Sequence, residues 1–248
     1  MKIGIIGAGN IGATLAQKLS AVGHDVKLAN SRGPETLRDL ARDIGVAAVS
    51  KEQAVKDVDV IVLSIPFAKY AELAGLFSLV SSEVVVIDTS NYYPFRDGAI
   101  SEVDHGKPES VWVSGQIGRP VTKAWNAVLS QTFSEKGKPE GGPGRIAIPV
   151  AGDDTNAKKT ATQLVSATGF DALDAGTLAD SWRQQPGTPA YCTELTADEL
   201  TSALATADKQ RAATNREVLI NEFIAGHGKL THDDMVMRNR AVTAGHQS

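Results

Sequence analysis

Gly7, Gly9 and Gly12 stand at the spacing G-x-G-x-x-G, directly behind the apolar run Ile3-Gly4-Ile5-Ile6 and directly ahead of the helix-forming residues Ala13 to Leu19. That spacing suits phosphate chemistry. The first glycine permits a tight strand-to-helix turn, the second lets backbone come against a pyrophosphate, and the third lets helix pack closely on strand. The anion then meets free N–H groups and the positive dipole end at the helix start. A lone glycine motif also arises in ordinary loops, so its surroundings decide. Here Gly23 reads as the helix stop and His24-Asp25-Val26-Lys27-Leu28-Ala29-Asn30 as a second strand, which completes a βαβ unit.

The second strand ends about twenty residues past the glycines, where the adenosine ribose of a dinucleotide lies. Sites selecting NAD place Asp or Glu there, whereas this chain has Asn30-Ser31-Arg32. A carboxylate repels a 2′-phosphate; a hydroxyl and a guanidinium hydrogen-bond and neutralise it. The residues therefore point to NADP(H), with Ser31 and Arg32 at the 2′-phosphate. The alternative is a solvated loop that carries an ordinary surface arginine.

The elements that position these residues continue the alternation. Val46-Ala47-Ala48-Val49 reads as a third strand, Ser50-Lys51-Glu52-Gln53 as a capping box, Asp59 to Pro66 as a fourth strand and Val84 to Asp88 as a fifth. Val111-Trp112-Val113 reads as a sixth strand. Arg145 to Ala151, a helix capped at Gly152-Asp153-Asp154-Thr155, and Phe170 to Leu173 form a further unit. Gly137 to Gly144 is a glycine- and proline-rich loop. The predicted fold is α/β, a Rossmann-type doubly wound, mainly parallel sheet over residues 1–178, followed by a helical C-terminal extension over 179–248. In that extension Thr196-x-x-Glu199 is a capping box, and one amphipathic helix is expected from Leu200 to Ala225. Its apolar stripe is Leu200, Leu204, Ala207, Ala212, Leu219 and Phe223. Residues after Gly226 read as a polar, mobile tail.

Composition excludes several classes. A chain of 248 residues with 42% hydrophobic content buries a substantial core, and a net charge of −4 argues against nucleic acid or an anionic membrane surface as partner. The single cysteine, Cys192, rules out an internal disulfide and reads as a small buried hydrophobe. With no apolar run of membrane-spanning length and no leader pattern ahead of the first strand, a cytoplasmic location is expected. His227 and His232 with Asp233 and Asp234 make a weak metal constellation in a polar tail, and no metal is expected.

Ligands of open α/β sheets lie beyond the carboxyl ends of the strands. Ser64-Ile65-Pro66 ends the fourth strand and Asn91-Tyr92-Tyr93 follows the fifth, so Ser64, Ile65, Pro66 and Asn91 are candidates for the nicotinamide half of the cofactor. Hydride transfer between two ring cofactors needs positioning more than side-chain chemistry. A carbonyl or imine acceptor also needs a proton donor, and Lys123, Tyr92 and Tyr93 are the candidates, Lys123 and Tyr92 foremost. Lys123-x-x-Asn126 is one residue short of the Lys-x-x-x-Asn pair of β-hydroxyacid dehydrogenases. Trp182, Arg183 and Gln184 either line a substrate mouth or form a packing loop.

Taken in order, Gly7-Ala8-Gly9-Asn10-Ile11-Gly12, Ser31-Arg32, Ser64-Ile65-Pro66, Val121-Thr122-Lys123-Ala124-Trp125-Asn126, Ile148 to Asp154 and Asp171 to Leu178 resemble the NADPH-dependent coenzyme F-420 reductase family. The resemblance covers about residues 1–180. It implies a Rossmann fold, hydride transfer between NADP(H) and a deazaflavin, and often a homodimer. By position it implies Gly9, Asn10 and Ile11 at the pyrophosphate, Ser31 and Arg32 at the 2′-phosphate, and Ser64, Ile65 and Pro66 along the nicotinamide half. Three functions stand: an oxidoreductase using a deazaflavin or flavin-like carrier such as coenzyme F-420, a reductase of a small carbonyl or imine, and a non-enzymatic NADP sensor.

Overall fold

The computed structural model describes residues 1–78, 80–226 and 229–244. Six strands form one parallel sheet: β1 (Lys2–Ile6), β2 (Asp25–Ala29), β3 (Ala47–Ala48), β4 (Val60–Leu63), β5 (Val85–Asp88) and β6 (Thr122–Lys123). Their order is β3-β2-β1-β4-β5-β6, the doubly wound arrangement, and its switch point lies between β1 and β4. Ile3, Ile5, Val60 and Val62 enter the core on one face, while Ile6, Ile61 and Leu63 enter the core on the other. Burial on both faces is why these strands read as unbroken apolar runs.

Among the described residues, six helices of nine residues or more surround and extend the sheet: α1 (Asn10–Ala21), α2 (Glu109–Ile117), α3 (Thr155–Ala167), α4 (Ala197–Ala205), α5 (Lys209–Ala225) and α6 (His232–Thr243). Helix α1 buries Gly12, Leu15, Ala16 and Leu19, the i, i+3, i+4, i+7 face of an amphipathic helix. The capping box at Ser50 and the Asp154 cap of α3 form as read from sequence.

Val111-Trp112-Val113 is not a strand. It lies inside α2, which starts behind Pro108 and ends at Gly118 in the left-handed conformation; Trp112, Val113 and Ile117 are its buried face. The sixth strand is the short Thr122–Lys123 instead. Strands β7 (Ala147–Val150) and β8 (Asp171–Asp174) pair in parallel, with α3 as their crossover. This pair meets the main sheet through an isolated antiparallel bridge, Lys123 to Ala151, whose N–H to O distances are 2.8 and 3.0 Å.

The C-terminal region also differs from the sequence reading. The expected single helix is broken at Thr206 to Asp208, where the Asp208 carboxylate accepts from Gln210 N at 2.9 Å and starts α5 afresh. The stripe divides accordingly: Leu200 and Leu204 pack with Ala147 and Ala190, whereas Phe223 is 44% exposed. Beyond it, Thr231 and Asp234 form a capping box that opens α6, so this stretch is helical. Glu194 fastens α6 to the body by accepting from Thr132 Oγ1 at 2.7 Å and Lys136 Nζ at 2.9 Å and by lying 2.8 Å from His232 Nε2. Position 227 lies outside the described residues. Among the described residues no group of three metal-ligating side chains forms, and no helix is long and apolar enough to cross a membrane.

Candidate active site

The turn between β1 and α1 shows why positions 7 and 12 are glycines. Gly7 has φ +113°, and a Cβ there would lie 1.9 Å from the Ser64 carbonyl oxygen, so β1 and β4 meet through its bare backbone. A Cβ on Gly12 would lie 1.9 Å from the Gly7 carbonyl oxygen. Gly9 is different. It is exposed, takes extended backbone at the start of α1, and a Cβ on it would meet nothing within 4 Å. No side chain caps α1 and its first turn carries no acidic residue. This open, uncapped cradle fits a pyrophosphate.

At the end of β2 the Asn30 side chain shapes the next turn. Its Oδ1 accepts from Arg32 N at 3.0 Å and its Nδ2 donates to Thr36 Oγ1 at 2.9 Å, which leaves Ser31 and Arg32 exposed. At the end of β4, Ser64 N donates to the Ile6 carbonyl at 2.8 Å, and Pro66 is exposed beside half-buried Ser64 and Ile65. Asn91 enters a network of buried amides. It donates to the Asn126 carbonyl at 2.8 Å and accepts from Asn126 Nδ2 at 3.0 Å; Gln184 Nε2 then donates to Asn126 Oδ1 at 2.9 Å and to the Pro149 carbonyl at 3.2 Å. Gln184 is therefore a packing residue that ties β7 to the end of β5.

The two foremost proton-donor candidates are both committed elsewhere. Lys123 is fully buried; Nζ donates to Ser90 O at 3.0 Å and Ser110 Oγ at 2.9 Å, and lies 3.5 Å from Glu109 Oε2 and 3.7 Å from Asp88 Oδ2. Asp88 in turn accepts from the hydroxyls of Tyr70, Ser90 and Ser110 and from Ser90 N. This makes Lys123 a core counter-ion. Tyr92 is likewise buried. Its hydroxyl donates towards Gly98 O and Asp104 Oδ1 at 3.0 and 2.9 Å and accepts from Ile100 N, and burial pushes its phenol above the ordinary value. It braces the 98–104 segment.

Two hollows lie on either side of Pro186 and Arg216. One, of about 230 Å³, sits between Tyr93, Tyr191 and helices α5 and α6; its wall is largely apolar, with Leu129, Leu219, Ile220 and Met235. The Tyr93 and Tyr191 hydroxyls are bonded to each other there. Asn239, 8% exposed, contributes an Oδ1 that has no protein partner. The second, of about 330 Å³, is a cleft lined by Trp182, His105, Lys107, Lys209 and Arg216, with Asp104 and Glu109 also in its wall. Pro186 and Arg216 line both hollows. Two cations lie over the Trp182 ring, Arg183 at 4.6 Å and Lys209 at 5.8 Å from its centroid. Cys192, at φ +56°, is buried, and burial holds its thiol up at about 12, so it is inert.

The family profile described as "NADP oxidoreductase coenzyme F420-dependent" matches residues 2–92. Protein YjhV of Escherichia coli K12 is 40% identical over 108 residues, which are 42% of this chain and 76% of that protein. A hypothetical protein of Sinorhizobium meliloti has a crystal structure 30% identical to this chain, with a TM-score of 0.67, covering 77% of this chain and 93% of that one. The chain belongs to the coenzyme F-420-dependent NADP oxidoreductase family. As a member of it, the protein is an NADP-dependent oxidoreductase. An Arthrobacter protein provisionally described as an F-420-dependent NADP reductase shares the fold at 20% identity and a TM-score of 0.60, over 91% of this chain and 94% of its own. Two features of this family member had no signal in the sequence: the junction of the two hollows, and Glu109 beside Lys123.

Proposed function

We propose that the protein transfers a hydride between NADP(H) and a planar deazaflavin or flavin-like carrier such as coenzyme F-420, bound where the two hollows meet. The observation that carries this reading is their junction at Pro186 and Arg216, since an apolar slot suits a ring system and a basic cleft suits an anionic tail. When bound, NADPH supplies the hydride from its nicotinamide. The backbone at Gly9, Asn10 and Ile11 holds the pyrophosphate, Ser31 and Arg32 hold the 2′-phosphate, and Ser64, Ile65, Pro66 and Asn91 border the nicotinamide half. The chain's contribution is to bind, orient and exclude water. A second reading, reduction of a small carbonyl or imine, is favoured by the Tyr93 and Tyr191 hydroxyls in the apolar slot.

Stopped-flow oxidation of NADPH, with coenzyme F-420, free flavins and a carbonyl and imine panel as acceptors, separates the two. Rapid turnover with the deazaflavin or a flavin is expected; turnover with small carbonyls or imines alone overturns the carrier reading in favour of the second. Arg32→Ala tests the nucleotide preference. Loss of one charge-assisted contact of about 1.5–3 kcal/mol raises KM for NADPH by roughly 10- to 100-fold and leaves that for NADH unchanged. An equal effect on both nucleotides would remove Arg32 from the 2′-phosphate.

We also propose a homodimer formed through the C-terminal helices, because α5 and α6 leave Phe223, Ile224 and Met237 at 44%, 55% and 60% exposure. Sedimentation at micromolar concentration is expected to give twice the chain mass, and Ile224→Lys to give monomer. A monomeric wild type rejects this assembly.

A further inference from the structure

Hydride transfer leaves a carrier ring one proton short, and the structure holds a buried acid in the wall of the basic cleft, which shares Pro186 and Arg216 with the slot proposed for the ring. Glu109, at the start of α2, is 2% exposed and lines the basic cleft. The groups facing it come from every neighbouring element. Lys123 of β6 is 3.5 Å away, Asp88 of β5 shares that lysine, and Tyr92 offers its backbone N–H. Arg216 of α5 and the Tyr93 phenol are within electrostatic reach, and Asp104, His105, Lys107 and Lys209 complete the cleft wall.

Charge balance sets the two carboxyls apart. Asp88 has four hydrogen-bond donors besides Lys123 and is well suited to be the anion that neutralises it. A second carboxylate at Glu109 is then surplus to the cation. Burial, only partly opposed by Lys123, pushes the Glu109 carboxyl up to about 7. Glu109 thus holds an exchangeable proton near neutrality, while Lys123 and Tyr92, the residues that sequence singled out, do not face either hollow.

We propose that Glu109 gives the reduced carrier its proton, a role that rests on the hydride-carrier reading above. The step balances as follows. The acceptor carbon gains a hydride with its electron pair, and the ring's conjugated double bond shifts that charge to a ring nitrogen. The nitrogen forms an N–H bond as the O–H bond of Glu109 breaks, and the resulting carboxylate is reprotonated from solvent through the cleft.

Glu109→Gln keeps the shape and removes the proton. With the carrier that wild type reduces, E109Q is expected to lower kcat about 100-fold, leave KM for NADPH unchanged, and abolish the fall of kcat as pH rises through about 7. Infrared difference spectra of the resting protein give a readout without turnover: a carboxylic-acid C=O band lost between pH 6 and 8 in wild type and absent from E109Q. The stability profile has a determined sign as well. A carboxyl raised from 4.5 to about 7 makes the folded state bind the proton more tightly, so wild type loses stability relative to E109Q as pH rises through that window. An E109Q protein with wild-type kcat and pH profile, or a wild type lacking the band, overturns the proposal alone. A wild type inert toward every carrier overturns the carrier reading and this role with it.

Discussion

Gly9→Asp is expected to fold like wild type and to bind NADPH at least about 100-fold more weakly, a loss of about 2.7 kcal/mol. The effect is local. Gly9 already has a backbone conformation open to any residue, φ −74° and ψ −174°, and the space around a Cβ there is empty. It is also the N-cap of α1, where aspartate is among the preferred residues, so the helix gains a cap that it now lacks. The new carboxylate satisfies the N–H groups and fills the position that a pyrophosphate needs, with the same charge. Gly7→Ala makes the contrast. Its Cβ would run into the Ser64 carbonyl at a φ of +113°, so that variant loses the fold before it loses the ligand. Calorimetric titration with NADPH beside thermal melts of both variants checks the pair. A Gly9→Asp protein that binds NADPH normally would remove this turn from the nucleotide site.

Lys123→Met is the other large effect, and it falls on stability. Two buried carboxyls, Asp88 and Glu109, share this one ammonium at 3.7 and 3.5 Å. Removing one partner of a buried ionic cluster leaves uncompensated charge, at a cost of about 3–5 kcal/mol. Methionine fills the lysine's volume, so a cavity contributes little to that figure. Glu109 sheds its charge by taking up a proton once Lys123 is gone, so adding Glu109→Gln to Lys123→Met is expected to recover little of the loss, which rests on Asp88. Denaturant midpoints of the three proteins measure this. A Lys123→Met protein of wild-type stability but no turnover would return lysine to the role that its Lys-x-x-Asn setting suggests.

The nucleotide half was legible because its rules are local. Glycine spacing, β-branched runs and capping boxes each act within a few residues, and β1, α1, β2, β4 and β5 follow from them directly. Val111-Trp112-Val113 misled for the same reason, since three residues of high β propensity say nothing of Pro108 and Gly118 working together as helix ends. The split between α4 and α5 hangs on one carboxylate turning back to its own backbone, and a stripe of leucines does not record it. The acceptor side was harder to read because its parts meet only in three dimensions. Tyr92 and Tyr93 are adjacent in an extended segment, so one enters the core and the other faces the slot, and which is which depends on where the core lies. Glu109 has no motif at all. Only folding brings it to Lys123, fourteen positions further along the chain.

The isolated bridge between Lys123 and Ala151 marks a seam in the sequence between the six-stranded sheet and the β7–β8 pair, although the two share one core. The residues before it form the six-stranded sheet and the glycine turn, and contain the whole stretch, residues 2–92, over which the family profile matches. The residues after it, β7, β8 and the C-terminal helices, supply most of the wall of the apolar hollow proposed for the acceptor. Substitutions in the second portion can therefore reshape the apolar hollow while the glycine turn of the first keeps its geometry.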